Sequence, residues 1–310
     1  MKKIFLLTIS SILLSNYCLE AQDIQVVGVG SKEYSGAQFA SKDIISPVGG
    51  SKPSDYKIID EPAYECIFDY IISLNDKNDQ PIKENYTTIL QIGKNAGRFL
   101  DYSNYRTDSL VFAKNTNEEL WAKSAMDARS SEYKFTGDIL LNYPEGELTY
   151  TDVVIPVYEE YTESFPAMEW QIEEEQDTIC GYICTRATGS YGGRDWEVWF
   201  AEEIPSDLGP WKFSGLPGLI MAAKDSEGIH EFKAISFREG STPIAKPNNP
   251  LIQKTGREKF IDKKSMVEKK PYSYINPDAL REIRVIGGQV IVDGVEIPKR
   301  PNGYTPIELK

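Results

Sequence analysis

His230 is the only histidine in the 310-residue chain. Any Ser-His-Asp or Cys-His arrangement must use it as the base, and multi-histidine zinc sites are excluded. It falls in a strand-like run, where a hydrogen-bonded structural histidine is the expectation; an activated thiol pair with Cys184 is the catalytic alternative. Carboxylates offer a second chemistry. Glu202, Glu203 and Asp207 lie close in sequence and could serve acid-pair hydrolysis of a glycosidic bond. A chain with 47 acidic residues nevertheless brings some together by chance. Arg194, directly after Gly192-Gly193, carries the guanidinium fork that grips a carboxylate through two bonds; one of the many local acids is its expected partner. No phosphate loop, dinucleotide fingerprint or EF-hand spacing occurs, so no cofactor or metal is expected.

The aromatic residues are more informative. Trp196, Trp199, Phe200, Trp211 and Phe213 crowd into one short stretch around Pro-rich corners. Strand alternation places Trp196, Val198 and Phe200 on one face, with Glu197 and Trp199 on the other. Trp196 and Phe200 are read as core. Trp199 and Trp211 are read as contact residues for an apolar ligand or a protein partner. Downstream, Leu216-Pro217-Gly218-Leu219 has the pattern of a type II turn, with Gly218 supplying a positive φ. Gly215 is expected to allow a close backbone approach. Gly215, Leu216, Pro217 and Gly218 complete the candidate binding surface with Arg194, Trp199 and Trp211.

Strands must position these groups. "AYECIFDYIISLN" and "YTTILQIG" read as strands across a polar loop, and "RFLDY" continues the meander. A helix is expected over 117–129, with a Thr116/Glu119 capping box and an apolar stripe of Leu120, Trp121, Ala125 and Met126. Two strands flank Pro144-Glu145-Gly146. A tight hairpin turns at Gly192-Gly193, and another spans "DSEG" between 219–224 and 229–237. Two short helices follow, near 256–265 and after Asn276-Pro277. The expected fold is mainly β with a few short helices, a curved antiparallel sheet or open half-barrel.

Lys2 and Lys3, the apolar run Ile4–Leu14 and the small Ala21 make a secretory signal peptide, cut after Ala21. Cys18 raises a lipoprotein reading, which the bulky Tyr17 opposes. No later segment reaches transmembrane length. Residues 22–60 read as a lead-in, and 61–310 as one β-rich domain, partly helical and basic from about 241. Residues 1–240 carry 21 basic and 39 acidic side chains, and residues 241–310 carry 13 and 8. An acidic body repels phosphate backbones, which argues against nucleic acid. Residues 145–177 hold eleven acids and no Lys or Arg, a stretch read as a solvated face, with a surface for calcium or a basic partner as the alternative. Cys180 and Cys184 on one strand would stand ~13 Å apart, too far to bridge. Any disulfide should therefore use Cys66, and Cys66–Cys184 is the expected pair, with Cys180 free.

The block "TICGYICTRATGSYGGRDWEVWFAEEIPSDLGPWKFSGLPGLI" resembles the signature of the GLPGLI family of secreted Bacteroidota proteins. The elements align in order: Gly181, Tyr182 and Cys184; Gly193-Arg194; Trp199-Phe200; Ile204-Pro205; then the hexapeptide. "TILQIGKNAGRFLDY" and "NGYTPIEL" are similar to family features too, so the resemblance runs over about 62–310. It implies an exported protein of a family with no established activity. The resulting expectation is a non-enzymatic secreted or periplasmic envelope protein that binds an apolar ligand or protein partner; a glycosidase-like hydrolase is the alternative.

Overall fold

The computed structural model describes residues 51–75, 79–114, 117–129, 135–154, 157–250, 252–268, 283–286, 289–292, 295–297 and 306–309. The signal peptide, Cys18, most of the lead-in and the helix expected after Pro277 lie outside them, as do Thr116 and the Met126 side chain.

The β-branched and aromatic runs become long strands because alternate side chains can enter a common core. In chain order these are β1 (Tyr56–Asp60), β2 (Pro62–Asn75), β3 (Pro81–Gly93), β4 (Gly97–Asp101), β5 (Asp138–Leu141), β6 (Glu147–Val154) and β7 (Val157–Ser164). They continue as β8 (Trp170–Ile179), β9 (Tyr182–Tyr191), β10 (Arg194–Ala201), β11 (Leu219–Asp225), β12 (His230–Glu239), β13 (Ile244–Pro247) and β14 (Gln253–Lys254). Twelve strands form one sheet in the order β14-β7-β6-β5-β4-β3-β2-β12-β11-β10-β9-β8. Every pairing is antiparallel except β14 on β7. β1, which the sequence places in the lead-in, pairs with β13 as a separate ribbon. Strands β15 (Ile283–Ile286), β16 (Gln289–Val292) and β17 (Val295–Ile297) form another small antiparallel sheet.

The large sheet does not close into a barrel, but it curls. The β8–β9 turn comes back over β12, where the Cys180 thiol reaches the Ala234 carbonyl at 3.3 Å and the Tyr182 ring meets Phe237 at 5.4 Å. Phe68, Leu90, Phe99, Ile139, Val198, Phe200 and Phe232 fill the inner core. This agrees with the expected curved, half-barrel architecture.

Helix α1 (Tyr102–Phe112) packs on the opposite face, where Tyr105 joins Ile67, Ile89 and Leu100. The sequence reading missed it because its buried positions Asn104, Thr107 and Asp108 are polar and leave no apolar stripe. Its start is nevertheless capped: the Asp101 side chain accepts from Ser103 N at 2.9 Å. Asp108 is satisfied through the sheet. Arg98 donates to it at 2.9 Å and grips both oxygens of Asp138 at 2.9 and 2.6 Å, while Tyr56 donates to Asp108 at 2.8 Å. Burial pushes the Asp108 pKa up against the pull of Arg98. Helix α2 (Glu118–Arg129) is capped by Asn117, which accepts from Leu120 N at 2.8 Å, one residue later than the expected Thr116 cap. Ala125 is buried, whereas Leu120 faces solvent.

The acidic stretch divides. On β6 and β7, Asp152, Glu159 and Glu160 are buried beneath the chain's own basic region. Lys264 pairs with Asp152, Lys263 with Glu159, and Lys254 with Glu160; Lys246 reaches Glu160 at 2.6 Å. Helix α3 (Arg257–Glu268) adds Phe260, whose ring packs on Tyr161 at 4.8 Å. The acids of β8 stay largely exposed.

Burial raises the Glu160 pKa, but the hydrogen bonds from Lys246 and Lys254 outweigh it, and the net shift is downward from 4.5. A depressed carboxylate contributes stability above its unfolded pKa and loses it as pH falls through the folded value. Glu160→Gln should therefore lower the melting temperature at pH 7, and the gap from wild type should narrow below about pH 4.5. Melting curves across pH check this; a constant gap down to pH 3 would assign the effect to packing alone.

Candidate functional site

The hairpin between β9 and β10 forms as its sequence implies. Gly192 and Gly193 take φ of 62° and 83°, the pair of positive values that a tight two-residue turn requires. Trp196, Val198 and Phe200 are buried, while Glu197 and Trp199 lie on the other face and remain partly exposed. The Trp199 indole donates to Glu197 at 3.1 Å. Trp211 corrects its expected role. It has no exposed surface and packs against Phe213 at 5.3 Å, Tyr191 at 5.4 Å and Trp196 at 6.1 Å. It belongs to the core and not to an exposed contact surface.

The two turn glycines exchange their expected functions. Gly215 carries the positive φ, 93°, whereas Gly218 does not. Gly218 is instead the close approach, because a Cβ there would sit 2.3 Å from the Ala201 carbonyl oxygen. The type II assignment is thus overturned by long-range packing of the turn on the end of β10. Leu216 is buried, Gly215 and Pro217 are exposed, and Leu219, Ile220 and Met221 enter the core. Gly218→Val should destabilise by about 1–3 kcal/mol through overpacking. Wild-type-like thermal melting of that variant would rule out the close approach.

Arg194 is buried and saturated. Its Nη1 donates to Asp225 at 2.8 Å and Glu227 at 2.9 Å, and its Nη2 donates to the Pro306 carbonyl at 2.7 Å. Local acids and backbone thus occupy it, and no face is left for an incoming carboxylate. His230 is also buried; its Nδ1 is 2.8 Å from the Tyr70 hydroxyl, and its amide donates to Asp225 at 3.1 Å. That is the structural histidine expected.

Cys66, Cys180 and Cys184 are all free thiols, so the expected Cys66–Cys184 bond is not present. Cys180 sits in the β8–β9 turn at φ 51°, off the strand on which the sequence reading placed it. The Cys184 thiol faces its own strand's Tyr182 carbonyl at 3.6 Å. Burial raises the pKa of both interior thiols, that of Cys184 to about 11.

The open surface lies elsewhere. A cleft of about 1100 Å³ crosses the outer side of β8–β11, lined by Trp170, Arg186, Asp195, Glu197 and Lys224 among others. Arg186 is its hub, bonding Glu173 at 2.6 Å, Glu197 at 2.9 Å and Glu175 at 3.2 Å. Ser190 donates to Asp195 at 2.5 Å. Trp170 forms one wall, lying over Gly189, where a Cβ would meet its ring at 2.7 Å. Its indole donates to the Ser214 carbonyl at 2.8 Å, tying the cleft to the Gly215 turn. Glu202, Glu203 and Asp207 are exposed and do not line it. Sequence reasoning missed Trp170 and Arg186 because one stands in the acidic stretch and the other looks like an ordinary strand residue.

The fold and cleft define a β-rich protein built on one large sheet, with a charged open surface and no candidate metal cluster among the described residues. Residues 192–222 match the model of a Bacteroidota-associated family described as a protein of unknown function (Porph_ging). The matched stretch holds the buried aromatic cluster and the turn, and stops short of the β8 wall. No curated protein matches the chain. Among solved structures, PNGF-II in a P21 crystal form is 13% identical, with a TM-score of 0.43 over 65% of this chain and 33% of that one. PNGF-II in a C2 form is 13% identical, with a TM-score of 0.41 over 64% and 32%. The chain thus spans about a third of those solved chains, and at such scores the likeness carries nothing over. Among the described residues no helix is long and apolar enough to cross a membrane.

Proposed function

We propose that this is a non-enzymatic, exported envelope protein of the GLPGLI type, periplasmic or secreted, that binds a protein partner through the cleft on β8–β11. The observation that carries the reading is the character of the cleft wall. Its charges are already arranged around Arg186, leaving a fixed polar relief beside the partly exposed ring of Trp170. Such a surface suits a polar protein partner better than an apolar ligand, because Trp211, first considered for apolar contact, is used in the core, and the partly exposed Trp199 is bonded to Glu197. A hydrolase would need two carboxylates facing each other across substrate; Glu173 and Glu197 instead share one guanidinium. The basic, apolar and small-residue pattern of residues 1–21 supports export.

The test compares wild type with Lys224→Glu, an exposed change in the cleft. Each is cross-linked in its native envelope and its attached species are identified by mass spectrometry. One species joined to cleft peptides in wild type and lost from the variant is expected. Identical cross-links in both would sink the cleft as the binding surface.

A further inference from the structure

The segment 306–309 is held in a way that resembles a bound peptide more than a packed chain end. Its contacts read backbone and one side chain, the usual grammar of peptide recognition. Arg194 donates to the carbonyls of Pro306 and Ile307, both at 3.2 Å from Nε, and Leu309 N donates to the Gly192 carbonyl at 2.7 Å. Glu308 enters a basic socket, where Lys212 donates to it at 2.7 Å and Arg257 at 2.6 Å. Ile307 is buried, while Leu309 remains 45% exposed. Glu308 runs alongside Gly192, its side chain 3.5 Å from where a Cβ there would be, an ordinary packing distance.

Removing one partner of a buried ion pair normally strands the other, which makes such contacts permanent. Here no cation would be stranded. Lys212 also holds Glu163 at 3.0 Å and the Tyr161 hydroxyl at 2.6 Å. Arg257 also pairs with Glu163 at 2.8 Å, and Arg194 keeps Asp225 and Glu227. The rings of Tyr150, Tyr161 and Trp211 stand 5.3–5.5 Å from the Lys212 ammonium and continue to face it. The socket wall also carries unspent features. Trp211 holds a φ of 55°, which is strained for a bulky residue, and among the described residues its buried indole N–H has no hydrogen-bond partner. Groups of that kind gather at ligand sites.

We propose that this socket, separate from the cleft, is a peptide-recognition site filled in cis by residues 306–309, and that it takes an apolar–acidic–apolar segment from a partner protein when the cis segment leaves. Lys212 and Arg257 select the acid, Arg194 and Gly192 hold the backbone, and Ile307 marks the apolar position.

The experiment uses the full chain and its Glu308→Gln variant, each titrated with a fluorescent peptide of sequence TPIELK and with the same peptide carrying Gln for Glu. The wild-type chain should bind the parent peptide weakly, because its own segment fills the socket. The variant should bind it about tenfold more tightly or better, since apparent affinity scales with the open fraction. The Gln peptide should bind the variant at least about tenfold more weakly than the parent, having lost its charge-assisted bonds. A folded variant with wild-type affinity, or equal binding of both peptides, overturns the proposal. If the variant does not fold, millimolar parent peptide is added to the wild-type chain and the Trp211 indole N–H resonance is followed. A saturable shift seen with the parent peptide but not with the Gln peptide supports the site, and no saturable shift overturns it.

Discussion

Trp211→Ala should destabilise the chain by about 3–5 kcal/mol, as much as Trp196→Ala, because each removes a large ring from a closed core. The two indoles touch one another and share Phe213. Neither position can collapse onto solvent, so the cavity persists. Trp199→Ala, on the partly exposed face, should cost clearly less. Trp211 offers a sharper comparison through its backbone. At φ 55° a residue with a Cβ is strained, whereas glycine is not. Trp211→Gly removes the same ring and also relieves that strain, so it should be no less stable than Trp211→Ala, reversing the usual penalty for glycine. Urea unfolding of the four variants checks both points. A Trp211→Ala chain as stable as Trp199→Ala would return Trp211 to the surface.

Arg98→Met should cost about 3–5 kcal/mol at pH 7, since it leaves two buried carboxylates without their cation. Arg98 is 2% exposed and joins β4 to Asp138 on β5 and to Asp108 on α1. The loss should shrink in acid. Burial already raises the Asp108 pKa above the ordinary carboxylate value, and without Arg98 it must rise further. An acid with a raised folded pKa costs stability above that value and recovers it as pH falls and the group is protonated. Unfolding at pH 7 and pH 4 measures both. A loss under about 1 kcal/mol at pH 7 would place the triad among weak surface pairs.

Neighbouring residues alone were enough to reveal several elements. Strands β2, β10, β11 and β12 are legible because alternation and β-branched content act within a few residues. The Gly192-Gly193 hairpin is legible because positive φ at both positions is a local requirement. The faces of Trp196 and Trp199 follow from the same period. Everything decided by a distant partner was hidden. The Pro-Gly pair announces a corner, but only the packing of that corner on Ala201 makes Gly218, rather than Gly215, the close approach. Trp211 looks like an exposed anchor until Tyr191, Phe213 and the Lys212 socket close around it. Helix α1 is invisible by apolar period because its inner face is polar and is satisfied across the sheet by Arg98 and Tyr56. The acids of β6 and β7 read as a solvated face or a surface for a basic partner, and only the fold shows that the lysines of residues 246–264 in the same chain cover them. Local sequence determines which conformations are open to each segment. The tertiary structure decides which buried charges find partners and which backbones come into contact, because those energies depend on pairs such as Arg98 with Asp108, 10 positions apart, and Asp152 with Lys264, 112 positions apart.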